Sequence, residues 1–284
     1  MELKRAEKKK VKLKIGMSGA SGFGKTYSAL LLAYGMTDDW SKVAVIDSEN
    51  RSASLYADLG EYNVIELTPP YSPERYIEAI KTCESAGMEA VIIDSITHEW
   101  DGEGGCLDLQ EKLGGRYQDW AKVTPRHKAF VGAILQADTH IITTVRRKQD
   151  YEMSKDDKGR VTVQKTGMKE VTREGFEYEI TVNFEFLNDK HLVKPSKDRT
   201  GLFMGKPEFV ITSETGKQLI EWANSGVDEV KYLIDSINAA KNRDEGLTIW
   251  NNNKSLQGNP QVIEAFKAFG KKHPKTQENE TTVN

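Results

Sequence analysis

Lysine followed by threonine at the end of a glycine-rich octapeptide is a pairing suited to phosphate chemistry. Residues 19–26 read Gly-Ala-Ser-Gly-Phe-Gly-Lys-Thr, filling every fixed position of G-x-x-x-x-G-K-[ST]. Glycines let backbone N–H groups turn inward around a phosphate chain, and a following helix adds partial positive charge at its N-terminus. The candidate ATP contacts are therefore Gly19, Ala20, Ser21, Gly22, Phe23, Gly24, Lys25, Thr26 and Tyr27. Lys25 would reach the β- and γ-phosphates, and the Thr26 hydroxyl would ligate Mg²⁺. Asp94 closes the apolar run Ala90-Val-Ile-Ile-Asp94 and is the candidate second holder of Mg²⁺, through water. Glu49 ends the segment Val45-Ile-Asp-Ser-Glu49. A carboxylate at the C-terminal end of a neighbouring strand can orient and deprotonate a water attacking the γ-phosphate.

These residues need elements to hold them. Residues 11–17 alternate apolar and polar as a strand does, and residues 27–34 are good helix formers, so the glycine loop has the strand–loop–helix context it requires. Short apolar runs at 42–47, 62–67, 90–94 and 140–145 read as further strands, and 73–86, 107–113 and 125–137 as helices. Strand alternating with helix predicts an α/β fold, a mainly parallel sheet with helices on both faces. Beyond Arg146 the pattern changes. Residues 161–165, 178–187 and 191–194 read as strands joined by short turns, with 157–159 as a hairpin signal, and antiparallel strands at the sheet edge are expected. Helices are predicted over 213–224, 228–241 and 260–271. The expected organisation is a basic arm over 1–10, an ATPase core over 11–224, a small helical module over 225–273 and a polar tail over 274–284.

Composition narrows the function classes. With 38% hydrophobic and 29% charged residues among 284, the chain can build a large core. Its apolar runs fall short of the roughly 18 residues of a membrane span, and the charged start is unlike a signal peptide. Cys83 and Cys106 have no metal-type spacing, which fits a reduced, cytoplasmic setting. A net charge of −3 argues against general affinity for nucleic acid. Locally the balance inverts, because residues 146–173 hold nine Lys or Arg against five acids.

The phosphate loop, Val45-Ile-Asp-Ser-Glu49, Val91-Ile-Ile-Asp-Ser-Ile-Thr-His-Glu-Trp100, Trp120-Ala-Lys-Val-Thr-Pro-Arg-His127 and Ser196-Lys-Asp-Arg-Thr-Gly-Leu-Phe203 together resemble the phage-encoded RecA-core ATPases. That family includes AAA-type nucleotide-binding proteins and short single-strand annealing recombinases. The resemblance covers residues 12–222 and implies a RecA-like P-loop core with Glu49 as general base. It puts Thr144 in the place of a polar γ-phosphate sensor, where the family usually has glutamine. It also implies that Lys197 and Arg199 reach a neighbouring subunit's nucleotide, a finger of the kind worth on the order of 10³–10⁵ in rate. Such a site requires head-to-tail self-association, as a ring or filament. In the family the loops after the fourth and fifth strands grip single-stranded DNA. Here these are about 99–126 and 148–173, with Arg116, Lys122, Arg126, Arg147, Lys148, Lys155, Arg160, Lys165, Lys169 and Arg173 as candidate contacts and Trp100, Tyr117 and Trp120 as aromatic neighbours. The implied function is ATP-dependent annealing or strand exchange in phage replication and recombination, in the host cytoplasm, with a single-strand-binding protein as a further candidate partner.

Two other readings use the same residues. A hexameric DNA motor or helicase could be built on this core. Gly-Ala-Ser-Gly-Phe-Gly also resembles the cofactor loop of short-chain NAD(P) dehydrogenases, and Tyr151-Glu-Met-Ser-Lys155 contains a Tyr-x-x-x-Lys pair. That pair lies in a charged, turn-prone stretch, and a dehydrogenase has no use for Lys25-Thr26.

Overall fold

The computed structural model describes residues 7–155 and 161–274. Two compact units emerge, one formed by residues 12–222 and the other by residues 7–11 with 223–274.

In the larger unit, β1 (Lys14–Gly19) feeds the glycine loop and α1 (Lys25–Thr37). Next come β2 (Val43–Asp47), β3 (Asn63–Glu66), α2 (Pro73–Ser85), β4 (Ala90–Asp94), α3 (Thr97–Asp101), α4 (Cys106–Lys112) and α5 (Trp120–Gln136). β5 (His140–Lys155), β6 (Val161–Glu170), α6 (Phe176–Glu179), β7 (Val182–Phe186), β8 (Leu192–Asp198), β9 (Phe209–Val210) and α7 (Ser213–Asn224) complete the order. The strands lie β3-β2-β4-β5-β1-β7-β8-β9, with β6 paired only to β5. From β3 to β7 all pairs are parallel. The predicted α/β architecture is therefore the observed one. It places β5 between the phosphate-loop strand and the strand that ends in Asp94.

Period-two alternation sends Ala44, Ile46, Val91, Ile93 and Ile141 to one face of the sheet, where they meet Tyr76 and Ile80 of α2 and Phe130 and Ile134 of α5 in one buried cluster. α1 packs on the sheet as well, burying Ala29, Leu30, Leu32 and Ala33. Burying aliphatic side chains of this size stabilises by about 1.5–3 kcal/mol each.

Three expectations need correction. The strand expected over 178–187 is instead α6 followed by β7, and β7 pairs parallel with β1 inside the sheet. Antiparallel addition at the edge is confined to β8 and β9. β5 does not end at Val145. It runs ten residues further, and this extension pairs antiparallel with β6 as a ribbon leaving the main sheet. Finally, α5 begins at Trp120, ahead of Pro125. Pro125 thus lies inside the helix, where it cannot donate to the Ala121 carbonyl and its ring crowds that group, a local cost the helix bears without ending there. The hairpin signal at 157–159 lies outside the described residues.

In the smaller unit, α8 (Glu229–Ala239), α9 (Arg243–Asn252) and α10 (Pro260–Lys272) bury Leu233, Ile237, Val262 and Phe269 together, with Trp250 stacked on Phe266 at 4.3 Å. The segment read as a basic arm is tied here. Lys10 N–H donates to the Val227 carbonyl (3.0 Å), Val227 N–H donates to that of Lys8 (2.8 Å), and Lys10 pairs with Asp228 (3.1 Å). Residues 1–6 and 275–284, the ends of the predicted arm and tail, lie outside the described residues. Among the described residues no helix is long and apolar enough to cross a membrane.

Candidate active site

Only glycine adopts the left-handed backbone readily, and the loop uses it at Gly22 (φ 80°) and Gly24 (φ 85°). Gly24 is doubly constrained, because a Cβ there would lie 2.5 Å from Nδ1 of His191. His191, from the turn before β8, donates through Nδ1 to the Phe23 carbonyl (2.8 Å) and so lies against the loop. A cavity of about 430 Å³ opens beside it, lined by Ser21, Gly22, Gly24, Lys25, Thr26 and Tyr27 of the loop. Glu49, Ser52, Tyr56, Arg146 and His191 form its other walls.

Lys25 folds back on its own loop, donating to the carbonyls of Gly19 (3.0 Å) and Ala20 (2.8 Å). Burial lowers its pKa, opposed by the nearby charge of Asp94. Asp94 is buried and bridges two strand ends and a helix. Its Oδ2 accepts from the Thr26 hydroxyl (2.6 Å) and its Oδ1 from that of Thr144. Burial raises the Asp94 pKa, and the two hydroxyl donors partly restore the carboxylate. A hydroxyl and a carboxylate oxygen at hydrogen-bond distance, at the base of a phosphate-type loop, are the hard oxygen donors that suit Mg²⁺. The residues fit the ion.

Asp47 is the buried brace of the next strand end. It accepts from the backbone N–H of Glu49 (2.7 Å) and Ala53 (2.8 Å), which turns the chain so that Glu49 faces the cavity. The Glu49 carboxylate accepts from the Ser95 hydroxyl (2.7 Å) and from Arg146 Nε (2.8 Å), and Arg146 Nη2 pairs with its second oxygen. Sequence reasoning brought Lys25, Thr26, Asp94, Thr144 and Glu49 into one site, and the structure puts them there. Arg146, His191, Asp47, Ser52, Tyr56 and Ser95 were not among the expected site residues; Arg146 and His191 reach the site across long stretches of chain, whereas Asp47, Ser52 and Tyr56 flank Glu49 and Ser95 follows Asp94.

Lys197 and Arg199 lie elsewhere. Lys197 Nζ donates to the carbonyls of Glu177 (2.9 Å) and Tyr178, and Arg199 donates to that of Tyr178 (2.8 Å), closing the end of α6.

A model of a family described as an AAA domain matches residues 11–200. The chain belongs to that AAA-domain family. Its core is that of an AAA-type P-loop ATPase, and the match spans the loop, Glu49, Asp94, Thr144 and the Lys197–Arg199 turn. No curated protein matches the chain.

A second, larger cavity of about 1260 Å³ lies in the same AAA core. Trp100, Tyr117, Trp120, Thr124 and Lys128 form one wall, and Lys148, Asp150, Lys169, Thr172 and Arg173 another. The two segments expected to contact DNA thus face each other. Trp100 and Trp120 stack at 5.5 Å, while Tyr117 is 90% exposed. Several of the candidate cations are already paired. Arg126 makes two bonds to Glu74 (2.6 and 2.7 Å), which draw the Glu74 pKa down to about 2. Arg147 pairs with Glu185, Lys148 with Asp101 (2.9 Å) and Lys169 with Glu174 (2.5 Å). Arg173 donates to the Thr124 hydroxyl (3.1 Å), Arg116 is exposed on the approach to α5, and Lys122 is exposed in the first turn of α5. Lys155 and Lys165 fall on the β5–β6 ribbon, and Arg160 lies outside the described residues.

Behind this cleft, Glu99, Cys106 and His127 converge, all buried. The Glu99 carboxylate accepts from the Cys106 thiol (3.1 Å) and bonds His127 Nδ1 at 3.1 Å. These hydrogen bonds satisfy the three groups mutually and tie α3, α4 and α5 together.

Proposed function

We propose that this AAA-type ATPase is a single-stranded-DNA-binding recombinase of the annealing type, acting in phage replication and recombination. The observation that carries the reading is the course of β5. One strand passes from Thr144 on Asp94, through Arg146 on Glu49, to Lys148, Gln149 and Asp150 in the wall of the aromatic cleft. A change at the nucleotide therefore has a rigid route of a few residues to the cleft. Stacking of bases on exposed aromatic faces contributes about 1–3 kcal/mol per base, and cations in the walls add salt-sensitive phosphate attraction.

In this reading the loop amides and Lys25 hold the phosphates of ATP, while Thr26 and Asp94 hold Mg²⁺. When bound, the ion would neutralise charge on the phosphoryl oxygens. Glu49 takes a proton from water as its oxygen bonds to the γ-phosphorus and the bond to the ADP oxygen breaks. Lys197 and Arg199 come from a neighbouring protomer; their position away from their own chain's cavity supports that role. Head-to-tail assembly follows from it.

The test is annealing of complementary single strands with ATP, beside unwinding of a tailed duplex. The reading expects annealing that is lost in Lys25→Ala, and no unwinding. Unwinding without annealing would identify a motor and overturn it. An inactive Arg199→Ala protein that regains turnover when mixed with Glu49→Gln would support the shared site. Absence of rescue in verified co-assemblies would reject it.

A further inference from the structure

The Glu49 carboxylate is not free to act on water. Ser95 and the Arg146 guanidinium occupy both its oxygens, and the Arg146 contact is a two-point pair. Charge-assisted pairs of this shape are the strong ones. The same guanidinium lines the nucleotide cavity together with Lys25 and Thr26. Arg146 is anchored by its backbone, whose N–H donates to the Thr97 hydroxyl (2.9 Å). Its side chain is 41% exposed, against 14% for Glu49. A fixed base with a solvent-facing head group suits a side chain that changes partners.

We infer that Arg146 is a γ-phosphoryl contact that masks Glu49 until ATP arrives. A γ-phosphoryl group carries more charge than one carboxylate and has three oxygens to offer the fork. Drawn to it, Arg146 leaves Glu49 able to accept a proton from water. ADP lacks that group, so with ADP the Arg146–Glu49 pair persists. Arg146 thus acts on the base by releasing it and on the substrate by binding it. This device rests on the general-base role proposed for Glu49. It places discrimination between ATP and ADP on a residue next to those leading into the cleft.

The experiment is calorimetric titration of the full chain with Mg²⁺ and either ADP or the β,γ-imido analogue of ATP. Arg146→Ala is expected to leave ADP affinity within about twofold while weakening the analogue by about tenfold or more, the size of one charge-assisted contact. Glu49→Gln removes the competing carboxylate and is expected to tighten the analogue by several-fold, roughly half a decade on the same scale. That gain should vanish in the Arg146→Ala/Glu49→Gln double variant. An unchanged ratio of analogue to ADP affinity in Arg146→Ala overturns the inference, as does equal tightening by Glu49→Gln with or without Arg146. Should Arg146→Ala lose ADP as well, Arg146→Lys decides on the same ratio, which must fall below that of the parent. Neither DNA nor turnover enters these titrations. A shifted ratio without annealing would sink the proposed function alone, and annealing with an unshifted ratio would sink this inference alone.

Discussion

Replacing Gly24 by alanine tests whether the phosphate loop is held in shape by a residue far away in sequence. Two effects add. Alanine at φ 85° costs about 1–2 kcal/mol because its Cβ crowds the carbonyl. The new Cβ would also sit 2.5 Å from His191 Nδ1 and 2.9 Å from its Cε1, so the ring must move and give up its 2.8 Å bond to Phe23. That loss adds about 0.5–1.5 kcal/mol. Gly22 is the internal control. Its φ is 80°, yet an added Cβ there meets nothing within 4 Å, so Gly22→Ala carries the backbone term alone. The expected excess of Gly24→Ala over Gly22→Ala is about 1 kcal/mol, a further drop of roughly 2–4 °C in unfolding midpoint for a unit of this size. Removing the ring by His191→Ala should erase the excess, giving a coupling energy of about 1 kcal/mol in the cycle. Thermal and urea unfolding of the parent, the three single variants and the Gly24→Ala/His191→Ala double variant, with ATP affinity measured in parallel, supplies the data. Equal destabilisation by the two alanines, or additive effects of Gly24→Ala and His191→Ala, would refute the contact.

Two further outcomes concern buried titratable groups. Burial lowers the His140 pKa from 6.5 to about 3, and the ring accepts from the Leu13 N–H (3.0 Å), which requires it neutral. The unfolded chain therefore takes up the proton first. His140 contributes its full stability above about pH 6.5 and loses about 1.4 kcal/mol per pH unit below it, so about 2 kcal/mol is gone at pH 5. His140→Asn, which keeps an acceptor, should flatten the acid limb of a stability–pH profile; an unchanged slope would contradict the assignment. His127→Ala leaves the buried Glu99 without its imidazole partner and should destabilise by about 3 kcal/mol or more in urea unfolding, whereas a loss under 1 kcal/mol would mean the pair is not a stabilising tie.

The parts of the site legible in the sequence were those whose chemistry is written within a few consecutive residues. The phosphate loop fixes its own spacing, and Asp94 follows four apolar residues, three of them β-branched, whose shortness and branching favour an interior strand, as found. Arg146 was not legible as a partner of Glu49, because 97 residues separate them and only the β2-β4-β5 order brings their strand ends together. His191 reaches Phe23 across 168 residues for the same reason. Local charge counting also misled. The excess of cations in 146–173 ignores Asp101, Glu174 and Glu185, which lie outside that stretch and pair with its lysines and arginine. β5 looked short because its second half is charged, but a two-stranded ribbon off the main sheet has no need of apolar faces. α9 escaped notice because its ten residues, Arg243–Asn252, include few apolar positions to mark a period.

In the proposed function the AAA site and the aromatic cleft work as one unit through β5. Steady-state ATP turnover, titrated with single-stranded DNA in the parent and in Tyr117→Ala, measures that directly. Turnover that rises and saturates with single-stranded DNA is expected in the parent. In Tyr117→Ala, half-saturation should move to about tenfold or more higher DNA, the size of one lost stacking contact. Turnover indifferent to single-stranded DNA, or a half-saturation point that Tyr117→Ala leaves in place, would contradict it.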